Sequence, residues 1–243
     1  MPDNDTGAFS AFIEKLKRLG PLDEADVAEI ANLPSRTEMG RPGHLLVKEG
    51  QRVECCCVLL RGYACRSKMT QEGRRQIVSF HMTGDILDLQ HLFLAQADHN
   101  VQLITEASYA WIPIEGLRAA VRNRPNIGEA LWRDSLIDAS IFREWVLNVG
   151  QRDSKTRIAH MLCEFAIRRS AAGLGSPDHF ELPMTQEQIA DATGMTTIHV
   201  NRMLSELREQ GVIRRDKRMV EIVDWNQMRQ IADFDPAYLH QAA

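Results

Sequence analysis

The chain has 243 residues, of which 44% are hydrophobic and 26% charged, and a formal net charge of −4. This balance excludes a disordered or collagen-like chain and leaves room for one large or two modest cores. The longest uninterrupted apolar run, Cys55 to Leu60, falls far short of the ~18 residues that span a bilayer, and the start, Met1 to Ser10, is acidic and polar, so neither a membrane span nor a leader is expected.

Helical spacing opens the chain, with Phe9, Phe12, Ile13, Leu16 and Leu19 recurring at intervals of three and four until Gly20 and Pro21 stop the pattern. A second short helix is expected over Glu24 to Leu33, with Pro34 at its exit. From Thr37 to about Ile114 the character changes to short apolar stretches, and Gly50, Gly62, Gly73 and Gly84 follow one another at intervals of 12, 11 and 11. Such regular turn signals predict an all-β barrel or sandwich. The clearest strands are Val53 to Leu60, Tyr63 to Met69 and Gln76 to His81. A tight turn at Arg61 and Gly62 would set Leu60 opposite Tyr63 and Val58 opposite Cys65.

Pro125 then introduces a long helix to about Val149, with Trp132, Leu136, Ala139, Phe142, Val146 and Val149 spaced by three or four. Apolar residues on more than one face let it pack against its own copy, and packing back on the barrel of the same chain is the alternative. Gly150 to Ser154 reads as a hinge. Ile158, Met161, Leu162, Phe165 and Ala166 mark the next amphipathic helix, closed by the loop Ala171 to Asp178. The expected division is therefore residues 1–124 as a β domain, 125–150 as a dimerisation helix and 151–243 as a mainly helical domain.

The most informative stretch begins at Pro183: LPMTQEQIADATGMTTIHVNRMLSELREQGVIRR. Thr185 and Gln188 stand in capping-box spacing at the head of one short helix. Gly194 supplies a sharp turn, Met195 plugs it, and Thr196 caps a second helix to about Gln210, which makes a helix-turn-helix. On the second helix Met195, Val200, Met203, Leu204 and Leu207 share a side expected to be buried. Thr197, Ile198, Asn201, Arg202 and Ser205 share the opposite side, whose short side chains suit a groove about 12 Å wide. Arg202 is expected to read guanine through two hydrogen bonds, Asn201 to address adenine, and Thr197 and Ile198 to touch thymine methyls. Past Gly211 a β-hairpin wing follows, with Lys217 and Arg218 at its tip and Arg214 and Arg215 beside it, expected to hold phosphates without reading sequence. Thr185, Gln186, His199 and Ser205 are placed with them on the phosphate side. Between Thr197 and Val220 six basic residues face three acidic ones, the local excess such a surface needs.

These residues resemble the Crp/Fnr superfamily of bacterial transcription regulators. The GD pair at Gly84 and Asp85, the helix from Pro125, and the segments TQEQIADATGM and HVNRMLSELREQGVI agree with it in order. The resemblance implies an α+β chain with an N-terminal jelly-roll-like β-roll sensor, a dimerisation helix and a C-terminal winged helix-turn-helix. It further implies a homodimer on a near-palindromic operator, no enzymatic activity, a cytoplasmic location, and RNA polymerase as a partner if the protein activates. An effector pocket is implied at Asp85, Asp88, Leu89, His99 and Asn100. Members that bind cyclic AMP carry a glutamate and an Arg-Ser pair after the GD motif, and an ungapped match puts Leu89, His99 and Asn100 at those positions. A leucine cannot accept a ribose hydrogen bond, so cyclic AMP is not expected. Residues 1–54 contain no cysteine, so the N-terminal iron-sulfur cluster of other members is not expected either. In place of the glutamate that many members carry three residues before the position of Asn201 stands Ile198, which replaces a polar reading of cytosine by methyl contact.

The remaining chemistry is sparse. Cys55, Cys56 and Cys57 alternate between faces of a strand and cannot converge on one metal. Cys56 and Cys65 would share a face across the expected hairpin, Cys163 reads as core, and the odd, clustered set of five cysteines fits a reducing cytoplasm. His81, His91 and His99 surround the loop after the GD motif and are open to a haem or metal reading. A cupin-type metalloenzyme needs a His-x-His pair that is absent, and a free-standing effector-binding subunit leaves the C-terminal segment without a purpose.

Overall fold

In the computed structural model, which describes residues 7–241, the apolar run at Cys55 lies in a strand buried on both faces. The chain divides into two compact units. One holds the residues up to Lys68 together with Phe80–Asp138; the other holds Met69–Ser79 together with the residues from Ala139 on.

In chain order, helices α1 (Ser10–Leu19) and α2 (Glu24–Ala31) precede strands β1 (Arg36–Gly40), β2 (Leu45–Val47), β3 (Cys55–Arg61), β4 (Tyr63–Met69) and β5 (Arg75–Met82), the last of which begins in the second unit and ends in the first. A 3-10 turn (Leu89–Leu92), β6 (Asn100–Leu103), β7 (Ala107–Pro113), α3 (Ile114–Asn123) and the long α4 (Pro125–Gln151) follow, and α4 belongs to the first unit through Asp138 and to the second from Ala139. The strands form two antiparallel sheets, in the orders β1-β7-β3 and β2-β6-β4-β5. Successive residues of a strand point to opposite faces, and β3 uses both. Cys57 and Leu59 face a core with Val101, Leu103 and Tyr109. Cys56 and Val58 face a second core, built with Phe12, Leu16, Leu117 and Leu131 from the helices.

The expected hairpin between β3 and β4 does not form. Val58 pairs with Ala110 of β7, and Cys65 pairs with Gln102 of β6. The reason lies at Gly62, where the chain leaves one sheet for the other with φ +101°, and where a Cβ would stand 2.6 Å from the Glu106 carbonyl oxygen. Only glycine makes that crossing without strain. The other edge of β3 is closed by the GD loop, since Leu59 N–H donates to the Asp85 carbonyl and Leu87 N–H to that of Cys57, each at 2.8 Å.

In the second unit, α5 (Ser154–Ala171), β8 (His179–Glu181), α6 (Gln186–Thr193), α7 (Thr197–Glu209), β9 (Ile213–Asp216), β10 (Met219–Ile222), α8 (Trp225–Ala232) and a last 3-10 turn (Pro236–Leu239) follow in order. The hinge expected over Gly150 to Ser154 shrinks to two residues. Helix α4 runs on through Gln151, and Asp153 caps α5 by accepting from Lys155 N–H at 2.9 Å and Thr156 N–H at 3.1 Å. Helix α5 is the hub, buried without a break from Ile158 to Ala166. Sequence periodicity missed β8, which adds a third strand to the wing by pairing with β10, and it missed α8 with the turn after it.

That last segment closes a buried polar cluster. Glu164 is 2% exposed. Its carboxylate accepts from Trp145 Nε1 at 3.0 Å, Tyr238 hydroxyl at 2.9 Å and Arg168 Nη1 at 3.2 Å. His160 stacks on the Tyr238 ring and meets Phe234 edge-on. Arg152 joins Glu144 at 2.6 Å to Asp233 at 3.1 Å. Among the described residues, no helix is long and apolar enough to cross a membrane.

Candidate nucleic-acid interface

The helix pair α6 and α7 is set by local chemistry. Thr185 Oγ1 accepts from Gln188 N–H at 3.1 Å while Gln188 Oε1 accepts from Thr185 N–H at 2.9 Å, a complete capping box. Gly194 ends α6 in the left-handed region at φ 68°, the conformation a sharp turn requires and a side chain resists. Thr196 Oγ1 then caps α7 by accepting from His199 N–H at 3.3 Å.

Val200, Met203, Leu204 and Leu207 are buried and anchor α7. Met195 departs from expectation: it is half-exposed, so the turn is held by the Gly194 conformation and by Met195 N–H donating to the Ala190 carbonyl, not by a buried plug. The outer face carries Thr197, Ile198, Asn201 and Arg202, all exposed, and Ile198 reaches 82% exposure. An isoleucine that open has no packing role in the folded chain.

Two pairs order this face. Arg202 Nη2 lies 3.2 Å from His199 Nε2. Asn201 Nδ2 donates to Gln186 Oε1 at 2.7 Å, and Gln186 Nε2 donates back to Asn201 Oδ1. His199 and Gln186, expected toward phosphates, are thus tied to neighbours expected to read bases.

Between α7 and the wing lies a notch of about 310 Å³, lined by Asn201, Leu204, Ser205, Arg208, Arg215 and Lys217. Three cations around one notch suit a phosphate backbone. Arg208 was not singled out from sequence, although it stands in the basic excess; one helical turn and a half beyond Arg202, it needed the wing's position to show its use. Burial, and then the nearby Arg208 charge, hold the Arg215 guanidinium below its ordinary value. At the wing tip Lys217 adopts φ 51°, and Arg215 Nε donates to its carbonyl at 3.1 Å. Arg214 is less available, since it pairs with Glu221 across the wing at 3.2 Å. Arg218 is exposed.

In the first unit, the positions expected to form an effector pocket are divided among separate contacts. Asp85 accepts from Lys15 Nζ at 2.8 Å, and the same ammonium meets Asp134 at 2.7 Å. Burial alone would lower the Lys15 pKa, yet these two carboxylates outweigh it and hold it above the ordinary value. His81 sits 3.4 Å from Asp85, and burial lowers its pKa to about 4, so it is neutral. Asp88 is fully buried; its Oδ1 accepts from Cys57 N–H at 2.8 Å, its Oδ2 has no partner, and burial raises its pKa to about 6. Leu89 packs on the helical core. His99, lowered by burial, contacts Asp98 at 2.6 Å and Gln90 at 3.3 Å, and Asn100 Oδ1 accepts from Glu49 N–H at 3.0 Å. Arg66 spends its guanidinium on the Leu87 carbonyl and Asp138.

A cyclic nucleotide needs a ribose acceptor and a fixed cation for its phosphate. Leucine, a neutral imidazole and an engaged guanidinium do not suit it. Three of the thiols are poorly placed to act as thiolates. Burial pushes Cys56 and Cys57 well above the ordinary thiol value and Cys163 up to about 12, and a protonated thiol is a poor nucleophile. Among the described residues no group of three or more His, Cys, Asp or Glu side chains is arranged to hold a metal ion.

Comparison with known proteins finds two family matches in this chain. Residues 156–231 match the Crp-like helix-turn-helix domain, and residues 40–124 match the cyclic nucleotide-binding domain. The chain is 26% identical over 197 residues to the transcriptional activator protein FnrL of Cereibacter sphaeroides, covering 79% of each. It is 21% identical over 211 residues to the fumarate and nitrate reduction regulatory protein of Escherichia coli K12, covering 87% of this chain and 84% of the other. The structure of FixK2 from Bradyrhizobium japonicum is similar with a TM-score of 0.75 at 22% identity, over 82% of this chain and 98% of that one.

Proposed function

The chain belongs to the Crp/Fnr superfamily as a transcription regulator with a cyclic nucleotide-binding-like domain and a Crp-like helix-turn-helix, and from that premise we propose that it acts as a homodimer on a near-palindromic operator, reading bases with the outer face of α7. The observation that carries this is the contrast across one helix. Four side chains on the inner side of α7 are buried, while Thr197, Ile198, Asn201 and Arg202 stand exposed with no packing role. A helix so disposed enters the major groove, where Arg202 donates twice to guanine and Ile198 meets a thymine methyl.

Phosphates are held at the notch by Arg208, Arg215 and Lys217, with Ser205 in its lining, and Thr185, Arg214 and Arg218 serve as further phosphate contacts. Dimerisation uses the exposed stripe of α4, where Trp132, Leu136, Phe142 and Val146 are 63, 52, 50 and 59% exposed. Ala139 lies on the same stripe and Val149 at its half-buried end. Covering four such side chains contributes about 1.5–3 kcal/mol each before the cost of association. The protein works in the cytoplasm; a relative named as an activator supports RNA polymerase as its protein partner. The cyclic nucleotide-binding-like β-roll serves as the sensor domain for an effector other than cyclic AMP, whose ribose and phosphate Leu89 and His99 do not suit.

Selection of bound duplexes from a random pool tests the reading. The expected outcome is a two-fold-related motif that Arg202→Ala loses while the variant stays dimeric. Equal retention of all duplexes by the unaltered protein would overturn it.

A further inference from the structure

Gln186 is the first residue of α6 and Asn201 lies on α7, 15 positions later, yet their carboxamides face each other and exchange two hydrogen bonds. Each amide nitrogen has two hydrogens and each amide oxygen two lone pairs. The pair uses one of each on both residues. What remains along either edge of the joined amides is the same pattern, one donor beside one acceptor, contributed by different residues. On one edge these are Asn201 Nδ2 and Gln186 Oε1, 2.7 Å apart; on the other they are Gln186 Nε2 and Asn201 Oδ1.

We infer that Gln186 and Asn201 read adenine together, as one composite amide edge. Adenine offers the complement in the major groove, an acceptor at N7 beside a donor at N6; guanine offers two acceptors and would leave the amide oxygen facing another oxygen. A lone asparagine meets adenine with the same edge that Asn201 turns toward Gln186. Reading by Asn201 alone therefore breaks both bonds of the pair, whereas the composite edge is ready with the pair intact. Both halves are anchored: Gln186 by the capping box that starts α6, Asn201 by the buried neighbours Val200, Met203 and Leu204. Gln186 thereby becomes a specificity-determining residue, where its place at a helix start suggested only a phosphate contact. The inference rests on the reading that the outer face of α7 meets base edges.

The test is equilibrium binding of the full-length protein to a set of duplexes in which each base pair of the selected operator is changed in turn. The unaltered protein is expected to prefer A·T at one position by about fivefold or more, the lower end for a bidentate contact. Gln186→Ala and Asn201→Ala each reduce that preference below about twofold, and the double variant reduces it no further, because the two residues act as one unit. Unchanged unfolding midpoints show that the fold is intact. If Gln186→Ala weakens every duplex alike and flattens the salt dependence, Gln186 is a phosphate contact and the inference fails. It also fails if Gln186→Ala sharpens the A·T preference, since Asn201 then reads alone. Arg202→Ala on the same duplexes separates the two levels. If it flattens a different position while Gln186→Ala changes none, only the composite edge is lost; if neither variant nor the unaltered protein discriminates anywhere, α7 is not a reader and both readings fall.

Discussion

The first unit and the outer face of α7 treat polar side chains in opposite ways. In the first, Lys15, Asp85, Asp134 and His81 answer one another and Asp88 Oδ1 is answered by backbone, with Asp88 Oδ2 left over. On the second, Thr197, Asn201 and Arg202 remain in water with bonding capacity to spare. Groups that answer one another hold a shape, and exposed groups with unused valences are free to meet a partner.

The largest effect is expected from opening the closed side of the comparison. Lys15→Met leaves Asp85 and Asp134 buried without their cation and should cost about 3–5 kcal/mol of stability in urea unfolding. Adding Asp134→Asn should recover part of that loss; a single variant as stable as the unaltered protein would mean the cluster is open to water.

Asp88 offers a pH-resolved version. Its folded pKa of about 6 lies above the ordinary 3.8, so the fold favours the protonated acid, and the ionised form destabilises it increasingly as pH rises from about 4 through 6. Asp88→Asn keeps the acceptor for Cys57 N–H and removes the charge. It should stabilise the protein by about 1–3 kcal/mol at pH 7 and by almost nothing at pH 4. His81 and His160, both held neutral by burial with pKa values of about 4 and 3, oppose this trend, because the unfolded imidazoles gain protons first as pH falls. The gap between variant and unaltered protein is therefore the quantity to follow, and a gap independent of pH would place Asp88 in water.

On the open side the effects fall on binding. Arg202→Ala should remove about 1–3 kcal/mol of discrimination at one base pair with stability unchanged within about 0.5 kcal/mol. Smallest is Lys217→Ala, expected to weaken all duplexes slightly and lower the salt slope by about one unit. A variant that lost selectivity at the wing but not at Arg202 would invert the assignment of reader and holder.

What could be read from the chain alone follows the range of the interactions involved. The helix-turn-helix was legible because its signals are local: Thr185 and Gln188 three apart, Gly194 at the turn, Thr196 at the next cap, and a buried stripe of period 3.6. The β3–β4 hairpin was misread because glycine between two apolar runs marks a reversal and a sheet crossing equally well; the deciding contact, the Glu106 carbonyl, is 44 residues away. Strand β8 is three residues long, too short for alternation to show. The pairing of Gln186 with Asn201 left no trace in either helix taken singly, since each residue is an ordinary polar choice at its own position.

Glu164 finds one of its donors in Tyr238, 74 positions on. During synthesis the carboxylate therefore leaves the ribosome long before the hydroxyl that answers it, and this part of the second unit's interior stays unfinished until Tyr238 has emerged. A stop codon anywhere before position 238 would then cost the nascent chain a donor to its buried carboxylate.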